Sequence, residues 1–254
     1  GGERAARNDP RPRVTPQMLL VATLALALRL PSFRFGQQAQ QLEQALLAQA
    51  ASDNNDVRST LAAFESLERA APAPADLLDN SAAAAVLDGR WALIATIAGT
   101  VGEDDLATSG VGGVVNASGL SVDASADSKP VQVVDLASRR IANEVKFDLP
   151  TGGCAYVRVA GGFGRAPPPA TGRRALVEFD SLELFTAEGR RLLQIGWLFS
   201  LIRALRPGLT NGADGASWLE TTYLSERVRL GRGNKGSVFV LTRLDGAGPL
   251  PPEF

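Results

Sequence analysis

The chain has 254 residues, of which 45% are hydrophobic and 21% charged, with a formal net charge of −1. It is long enough for one substantial core with appendages or for two small domains, and its charge gives no electrostatic support for nucleic-acid binding. The sequence has no histidine and one cysteine, Cys154, which excludes His-assisted nucleophiles, His-ligated metals, an internal disulfide and cysteine-based zinc or iron–sulfur clusters. Carboxylate chemistry remains open, but we predict no catalytic residues and no metal site.

The first 36 residues are predicted to lie outside the core. Residues 1–17 are rich in arginine and proline and cannot form a hydrophobic core. The apolar run at 18–30 is too short to cross a bilayer as a helix, because a span needs about 20 residues. We expect this run to be a targeting remnant or a helix buried against a partner, with a membrane-surface anchor as the alternative. Because Gly1 is not a translated start, we expect a processed chain or a fragment.

Residues 37–85 are predicted to form a helical segment. Leu42 and Leu46 are spaced by four residues, as on one face of a helix. The polar run at 53–56 breaks the pattern and offers a cap for a second helix. An Ala-Pro-Ala-Pro run at 71–74 ends the helical pattern.

From about Leu87 onward, short alternating runs separated by Gly- and Asp-rich turns predict antiparallel strands rather than a βαβ fold. We predict strands at residues 90–98, 112–116, 130–136, 140–149, 155–160, 174–185, 192–197, 217–230 and 237–244. Loops are expected at 99–113 and 161–173, and an amphipathic helix at 197–205.

Residues 218–241 carry the strongest motif, WLETTYLSERVRLGRGNKGSVFVL. Two alternating arms, 223–230 and 238–244, flank a Gly-rich turn at 231–236, which predicts a β-hairpin. Alternation along the first arm predicts two faces: Leu224, Val228 and Leu230 on one, and Tyr223, Ser225, Arg227 and Arg229 on the other.

The same run resembles, almost residue for residue, the C-terminal signature of the plastid lipid-associated proteins, also called fibrillins. That family has an aromatic residue, then D-T-T-Y-L-D, then R-I-G-R-G-N-K-G-S-x-F-V-L. Glu220 stands for the first Asp of the pattern and Ser225 for the second, so a charge is lost at Ser225. The resemblance extends to a run with Gln132, Asp135 and Asn143, which is similar to the family's central segment.

The resemblance implies a mainly β fold, a lipocalin-like antiparallel β-barrel of eight or nine strands preceded by a short helical segment. The implied divisions are a docking or anchoring tail at 1–36, a helical segment at 37–85, the barrel at 86–245 and a C-terminal tail at 246–254. The family resemblance also implies a non-enzymatic protein that binds a lipid, carotenoid or quinone in the chloroplast, at thylakoids or plastoglobules. No other cofactor is expected. The alternative is an accessory structural subunit docked on a photosynthetic membrane complex through residues 1–36.

Three sets of candidate site residues follow. An apolar ligand would contact a barrel wall formed by Asn143, Val145, Phe147, Val177, Phe179, Tyr223, Phe239 and Leu241. Asn143 is the one polar residue on its face and needs a hydrogen-bond partner, either backbone, Gln132 or a ligand headgroup.

The Gly-x-Trp pair Gly89 and Trp91 opens the β region as in lipocalins, where the indole plugs the closed end of the barrel. A guanidinium from Arg229, Arg232 or Arg243 is expected to stack on that ring. We also expect Arg229, Arg232 and Lys235 to gather at one barrel end, where they would attract anionic lipid headgroups or an acidic partner surface.

Overall fold

The computed structural model describes residues 36–50, 56–97, 128–196, 211–212, 215–216, 218–233 and 236–250. Within these ranges the chain is mainly β, with a nine-stranded antiparallel sheet, one two-stranded pair and three helices. The predictions for residues 1–35, for the strand at 112–116, for the loop at 99–113, for the helix at 197–205 and for Lys235 lie outside the described residues.

The helical segment consists of α1 (Gln37–Ala50), α2 (Val57–Ala70) and α3 (Ser81–Leu87). Asp56 caps α2, because its carboxylate accepts hydrogen bonds from the backbone N–H groups of Arg58 and Ser59, each at 3.2 Å. The predicted cap within 53–56 is therefore confirmed. Helix α3 lies at the end of the predicted helical segment 37–85, although no separate helix is expected after the Ala-Pro-Ala-Pro run. It begins after Asn80, whose side chain accepts from the backbone N–H of Ala83 at 3.2 Å.

Most predicted strands are present. The strands are β1 (Gly89–Ile97), β2 (Val131–Asp135), β3 (Arg140–Asp148), β4 (Cys154–Arg165), β5 (Arg174–Thr186), β6 (Arg191–Gln194), β7 (Asn211–Gly212), β8 (Gly215–Ala216), β9 (Trp218–Leu224), β10 (Val228–Gly233) and β11 (Val238–Leu244). The loop predicted at 161–173 is wrong over its first five residues, since β4 continues through them. At the register shift between Ala160 and Gly161, Asp180 of β5 is the extra residue. The absence of a side chain at Gly161 lets the two strands approach there, since a Cβ would lie 2.1 Å from the Glu178 carbonyl oxygen.

The predicted single strand at 217–230 is also wrong, because a turn at 225–227 divides it into β9 and β10. The hydroxyl oxygen of Ser225 accepts from the backbone N–H groups of Arg227 and Val228, at 3.1 and 2.9 Å, and so holds the turn. Leu224 then pairs with Arg229, and Tyr223 pairs with Leu230. The turn therefore restarts the alternation, and Arg229 and Tyr223 lie on opposite faces instead of the same one. The Gly-rich hairpin between β10 and β11 is confirmed.

The nine strands follow the order β4-β3-β2-β1-β11-β10-β9-β5-β6, with a further pairing between β4 and β5. Eight of the strands therefore form a ring of pairings. Strand β6 pairs with residues 183–185 of β5, whereas β9 pairs with residues 174–176 of the same strand. The ring is closed by long-range pairs, such as Arg90 with Leu244 and Arg174 with Glu220.

The two faces of the sheet bury different sets of apolar side chains. The inner face packs residues from strands on opposite sides of the ring against residues 73–87, and its buried members are Ala73, Leu77, Ala83, Leu87, Trp91, Val134, Ile141, Val177, Leu224 and Leu241. On the outer face, α1 and α2 pack against β1, β9, β10 and β11 through Leu46, Phe64, Leu67, Ala92, Tyr223, Leu230 and Val240, among others. Adjacent residues such as Trp91 and Ala92 therefore belong to opposite faces.

Candidate functional site

The predicted wall residues other than Tyr223 share the inner face. Val177 and Leu241 are buried there, and Phe179 and Phe239 pack against them. Asn143, Val145 and Phe147 follow Ile141 on the same face of β3 by alternation.

Tyr223 does not belong to this wall. It lies on the outer face, where its hydroxyl donates to Oε2 of Glu43 on α1 at 3.2 Å. Its assignment as a ligand contact is therefore wrong, and the reason is the turn at 225–227.

Trp91 is fully buried at the end of the interior covered by α3. Its indole N–H donates to the Leu87 carbonyl oxygen at 2.9 Å. The Arg243 guanidinium lies 4.3 Å from the indole centroid, and the Arg229 guanidinium lies 5.8 Å away. The expected cation on the ring is thus supplied mainly by Arg243. Gly89 is required beside it, because its φ is +123° and a Cβ there would lie 2.7 Å from Arg243 Nη1.

Arg232 does not take part in this plug. Its guanidinium forms two hydrogen bonds with Glu68 of α2, at 3.0 and 2.6 Å, and lies 5.2 Å from the ring of Phe64. Arg229 faces the interior instead, so the predicted gathering of Arg229 and Arg232 at one barrel end is wrong. Regular alternation along β10 places the two arginines, which are three residues apart, on different faces.

A chain of polar side chains crosses the inner face. The Gln132 amide donates to Oδ1 of Asn143 at 3.0 Å, and its Oε1 accepts a hydrogen bond from Nη2 of Arg229. The predicted bond between Asn143 and Gln132 is confirmed. The central motif and the C-terminal motif of the sequence thus meet in one hydrogen-bonded chain, which we call the Arg229 relay (Asn143, Gln132 and Arg229).

Arg229 itself is incompletely paired. Its side chain is 1% exposed, and its Nε and Nη1 atoms have no hydrogen-bond partner among the described residues. Burial lowers the pKa of this guanidinium, and the nearby Arg243 lowers it further. Because a guanidinium keeps its proton near neutral pH, the interior holds a buried positive charge that is not balanced by a carboxylate of the described chain.

A second buried arginine shows that the chain can satisfy such a group. Arg158 is 2% exposed and faces outward from β4. Glu144 lies 2.8 Å and Glu183 lies 3.7 Å from its guanidinium nitrogens, and Arg90 approaches Glu144 at 2.9 Å. Arg158 thus pairs with two carboxylates, whereas Arg229 pairs with none among the described residues.

A cavity of about 20 Å³ adjoins Arg229. Its lining is mainly apolar: Leu78, Leu87, Val134, Ile141, Phe163, Ala175 and Leu219. The polar lining residues are Thr221, Arg173 and Arg229. The second arginine, Arg173, is already paired with Glu220 at 2.8 Å. A space of this size holds about one water molecule. Arg229 is the lining residue whose buried nitrogens have no partner among the described residues.

A wider cleft of about 270 Å³ lies on the outer face, between β1, β3 and the C-terminal residues 245–249. Its walls carry three basic side chains, those of Arg90, Lys129 and Lys146. Arg90 is paired with Glu144. The sequence predicts no binding site here, because the cleft depends on where residues 245–249 lie relative to β1 and β3.

Within the described ranges, no three His, Cys, Asp or Glu side chains are grouped in a way that would hold a metal ion. None of the described helices is both long and apolar enough to span a membrane.

The fold and the site define a mainly antiparallel β protein whose apolar inner face contains an incompletely paired arginine. The chain belongs to the plastid lipid-associated protein, or fibrillin, family: the family model PAP_fibrillin matches residues 40–242. The match includes α2, α3, the ring of strands and the signature run, so the resemblance of the sequence is confirmed. No curated protein and no solved structure matches the chain.

Proposed function

We propose that this protein is a non-enzymatic plastid lipid-associated protein whose ring of strands is a lipocalin-like β-barrel. The interior would take a lipid, carotenoid or quinone at thylakoids or plastoglobules. The observation that carries the proposal is a ring of eight paired strands around a largely apolar inner face with a cavity. Family membership supports the same function and the plastid location.

The volume of the cavity sets a condition on ligand entry. An acyl chain needs far more than the space of about 20 Å³ beside Arg229, so the interior must open to admit one. Burial of about 400 Å² of apolar ligand surface would contribute roughly 10 kcal/mol before the cost of immobilisation is subtracted. That contribution is large enough to offset displacement of a small segment.

Residues 73–87 are the segment best placed to move. They cover the interior with Leu77 and Leu87, and their one helix, α3, is seven residues long, too short to be stable by itself. Two backbone hydrogen bonds attach the segment to the strands and the loop before β5, from Ala73 N–H to the Thr222 carbonyl at 2.8 Å and from Leu78 N–H to the Gly172 carbonyl at 2.9 Å. Side chains of Trp91, Arg173 and Arg243 also donate to backbone carbonyls of the segment, so displacement has to break these bonds as well. We propose that ligand entry displaces this segment.

A second candidate function is an accessory structural subunit of a photosynthetic membrane complex, docked through residues 1–36. The small cavity favours this alternative, because a nearly filled interior fits a structural subunit, whereas a carrier needs space for its ligand.

Organic extraction of the protein purified natively from plastid membranes, followed by mass spectrometry, tests the two candidates. The carrier predicts one lipid, quinone or carotenoid recovered in a fixed ratio to protein. Absence of such a molecule, together with co-purifying membrane-complex subunits, would contradict the carrier and support the structural subunit.

A further inference from the structure

The Arg229 relay holds a guanidinium in a fixed orientation with unused donors. Gln132 accepts from Nη2, and Asn143 in turn fixes Gln132. Nε and Nη1 have no partner in the part of the chain that the structure describes, although the residue is 1% exposed. A buried guanidinium with two unused nitrogens is costly to the folded protein, so a group that binds it with negative charge would be strongly favoured.

A water molecule fits the adjoining cavity, but it is neutral and would leave the charge unbalanced. The nearby cations do not help: Arg243 lowers the pKa of Arg229, and Arg173 already shares Glu220 with Arg174. Among the described residues, no carboxylate pairs with Arg229, and its positive charge is therefore left unbalanced.

We propose that Arg229 binds the carboxylate of an acidic ligand inside the ring, with the apolar carbons of that ligand against the surrounding side chains. A carboxylate carries one negative charge, which matches the single unbalanced guanidinium. The cavity of about 20 Å³ is too small for a carboxylate as it stands, so binding requires the same displacement of residues 73–87. The inference rests on the proposed carrier function and names its ligand class: a free fatty acid or another carboxylic acid with an apolar body.

The apolar neighbours of Arg229 support the orientation of this ligand. Leu78, Leu87 and Phe163 line the cavity beside the guanidinium. Leu78 and Leu87 belong to the segment 73–87. The carbon chain of the bound ligand would therefore extend from its carboxylate into the space that this segment now fills.

The test is calorimetric titration of the lipid-free full chain with three probes: oleate, oleyl alcohol and acetate. Oleyl alcohol keeps the tail and lacks the carboxylate, whereas acetate keeps the carboxylate and lacks the tail. Each titration is repeated with Arg229→Met and with the matched control Arg232→Met, which removes a cation of the same strand on the outer face.

The proposal predicts that oleate binds at least tenfold more tightly than oleyl alcohol, and that Arg229→Met removes this preference. Arg232→Met should keep the preference. Arg229→Met should also melt no lower than the wild-type chain without ligand, because it removes an unbalanced buried charge. If that variant fails to fold, the preference of the wild-type chain for oleate over oleyl alcohol still decides.

Equal binding of oleate and oleyl alcohol, or an unchanged preference in Arg229→Met, would overturn the carboxylate site and leave the carrier function standing. Binding of acetate through Arg229 without binding of oleate would support the site and contradict a lipid carrier. Binding of none of the three probes would overturn the site, and the carrier function would then rest on the extraction experiment alone.

Discussion

At the scale of single residues, the buried charges of this protein differ in how completely they are paired. Glu220 is an example of full pairing. Its carboxylate accepts from Nε of Arg173 at 2.8 Å and from Nε and Nη2 of Arg174 at 3.0 and 2.7 Å, and Thr171 adds a bond at 3.2 Å. The longer Glu side chain, in place of the family's Asp, thus links β9 to the start of β5.

The pKa of Glu220 gives this link a pH dependence. Burial by itself would raise the pKa of this carboxyl, but the hydrogen bonds from Arg173 and Arg174 outweigh burial and lower it below the ordinary 4.5. A folded-state pKa below the unfolded value means that the stabilisation is present above about pH 4.5 and is lost as the pH falls through the folded value.

We therefore expect Glu220→Gln to lower the melting temperature at pH 7 and to have a shrinking effect below pH 4.5. Thermal melts of both chains between pH 3 and pH 7 measure this. The exposed Glu226→Gln is the control, and it should show little effect over the same range. A difference between wild type and Glu220→Gln that stays constant down to pH 3 would contradict the assigned pairing.

The sequence allowed some side-chain contacts to be predicted but not others. The bond between Asn143 and Gln132 followed from one polar residue on an apolar face near a polar residue of the preceding strand. The face of the sheet on which Arg229 lies could not be predicted, because it depends on the turn at 225–227. Nor does the sequence show that Arg243, rather than Arg229, lies nearer the ring of Trp91.

At the scale of secondary-structure elements, the signature run mainly attaches the helices to the sheet. Tyr223 and Ser225 both donate to the buried carboxylate of Glu43 on α1, at 3.2 and 3.3 Å, and Arg232 pairs with Glu68 on α2. Glu43 thereby explains the loss of the family's Asp at position 225. An Asp there would place a second carboxylate against Glu43, whereas a serine hydroxyl donates to it.

The attachment of α1 gives an element-scale prediction. Tyr223→Phe removes one donor from a buried carboxylate, so we expect the free energy of unfolding to fall by about 1–3 kcal/mol. Chemical denaturation measures the change. The control is Tyr156→Phe, at the chain's other tyrosine, which lies on the wall of the outer cleft. Equal stability of Tyr223→Phe and the wild-type chain would show that Glu43 does not depend on this bond.

Elements with regular patterns were predicted, and short irregular ones were not. The Gly-rich turn between β10 and β11 marks a hairpin directly. The Ser-Glu-Arg turn at 225–227 has neither glycine nor proline, so the sequence shows no break in the apolar–polar alternation there. Helix α3 is seven residues long and rich in alanine, too short to show helical periodicity.

At the scale of the whole molecule, the ring depends on pairs between residues far apart in sequence. Strand β1 pairs with β11, and β5 pairs with β9. Alternation in each strand could show that one side is apolar, and the family resemblance supplied the expected order of parts. The size of the remaining cavity could not be predicted, because it depends on how residues 73–87 pack into the interior.

Photolabelling measures most directly whether the inner face is the ligand-binding surface. The full chain would be irradiated with a fatty acid that carries a diazirine on its acyl chain, and labelled residues would be located by tandem mass spectrometry. If the ligand binds the inner face, we expect labels on inner-face residues of β3, β5 and β11, and loss of labelling when oleate competes. Labels confined to residues 1–35 or to the exposed Leu192 and Leu193 of β6 would contradict it.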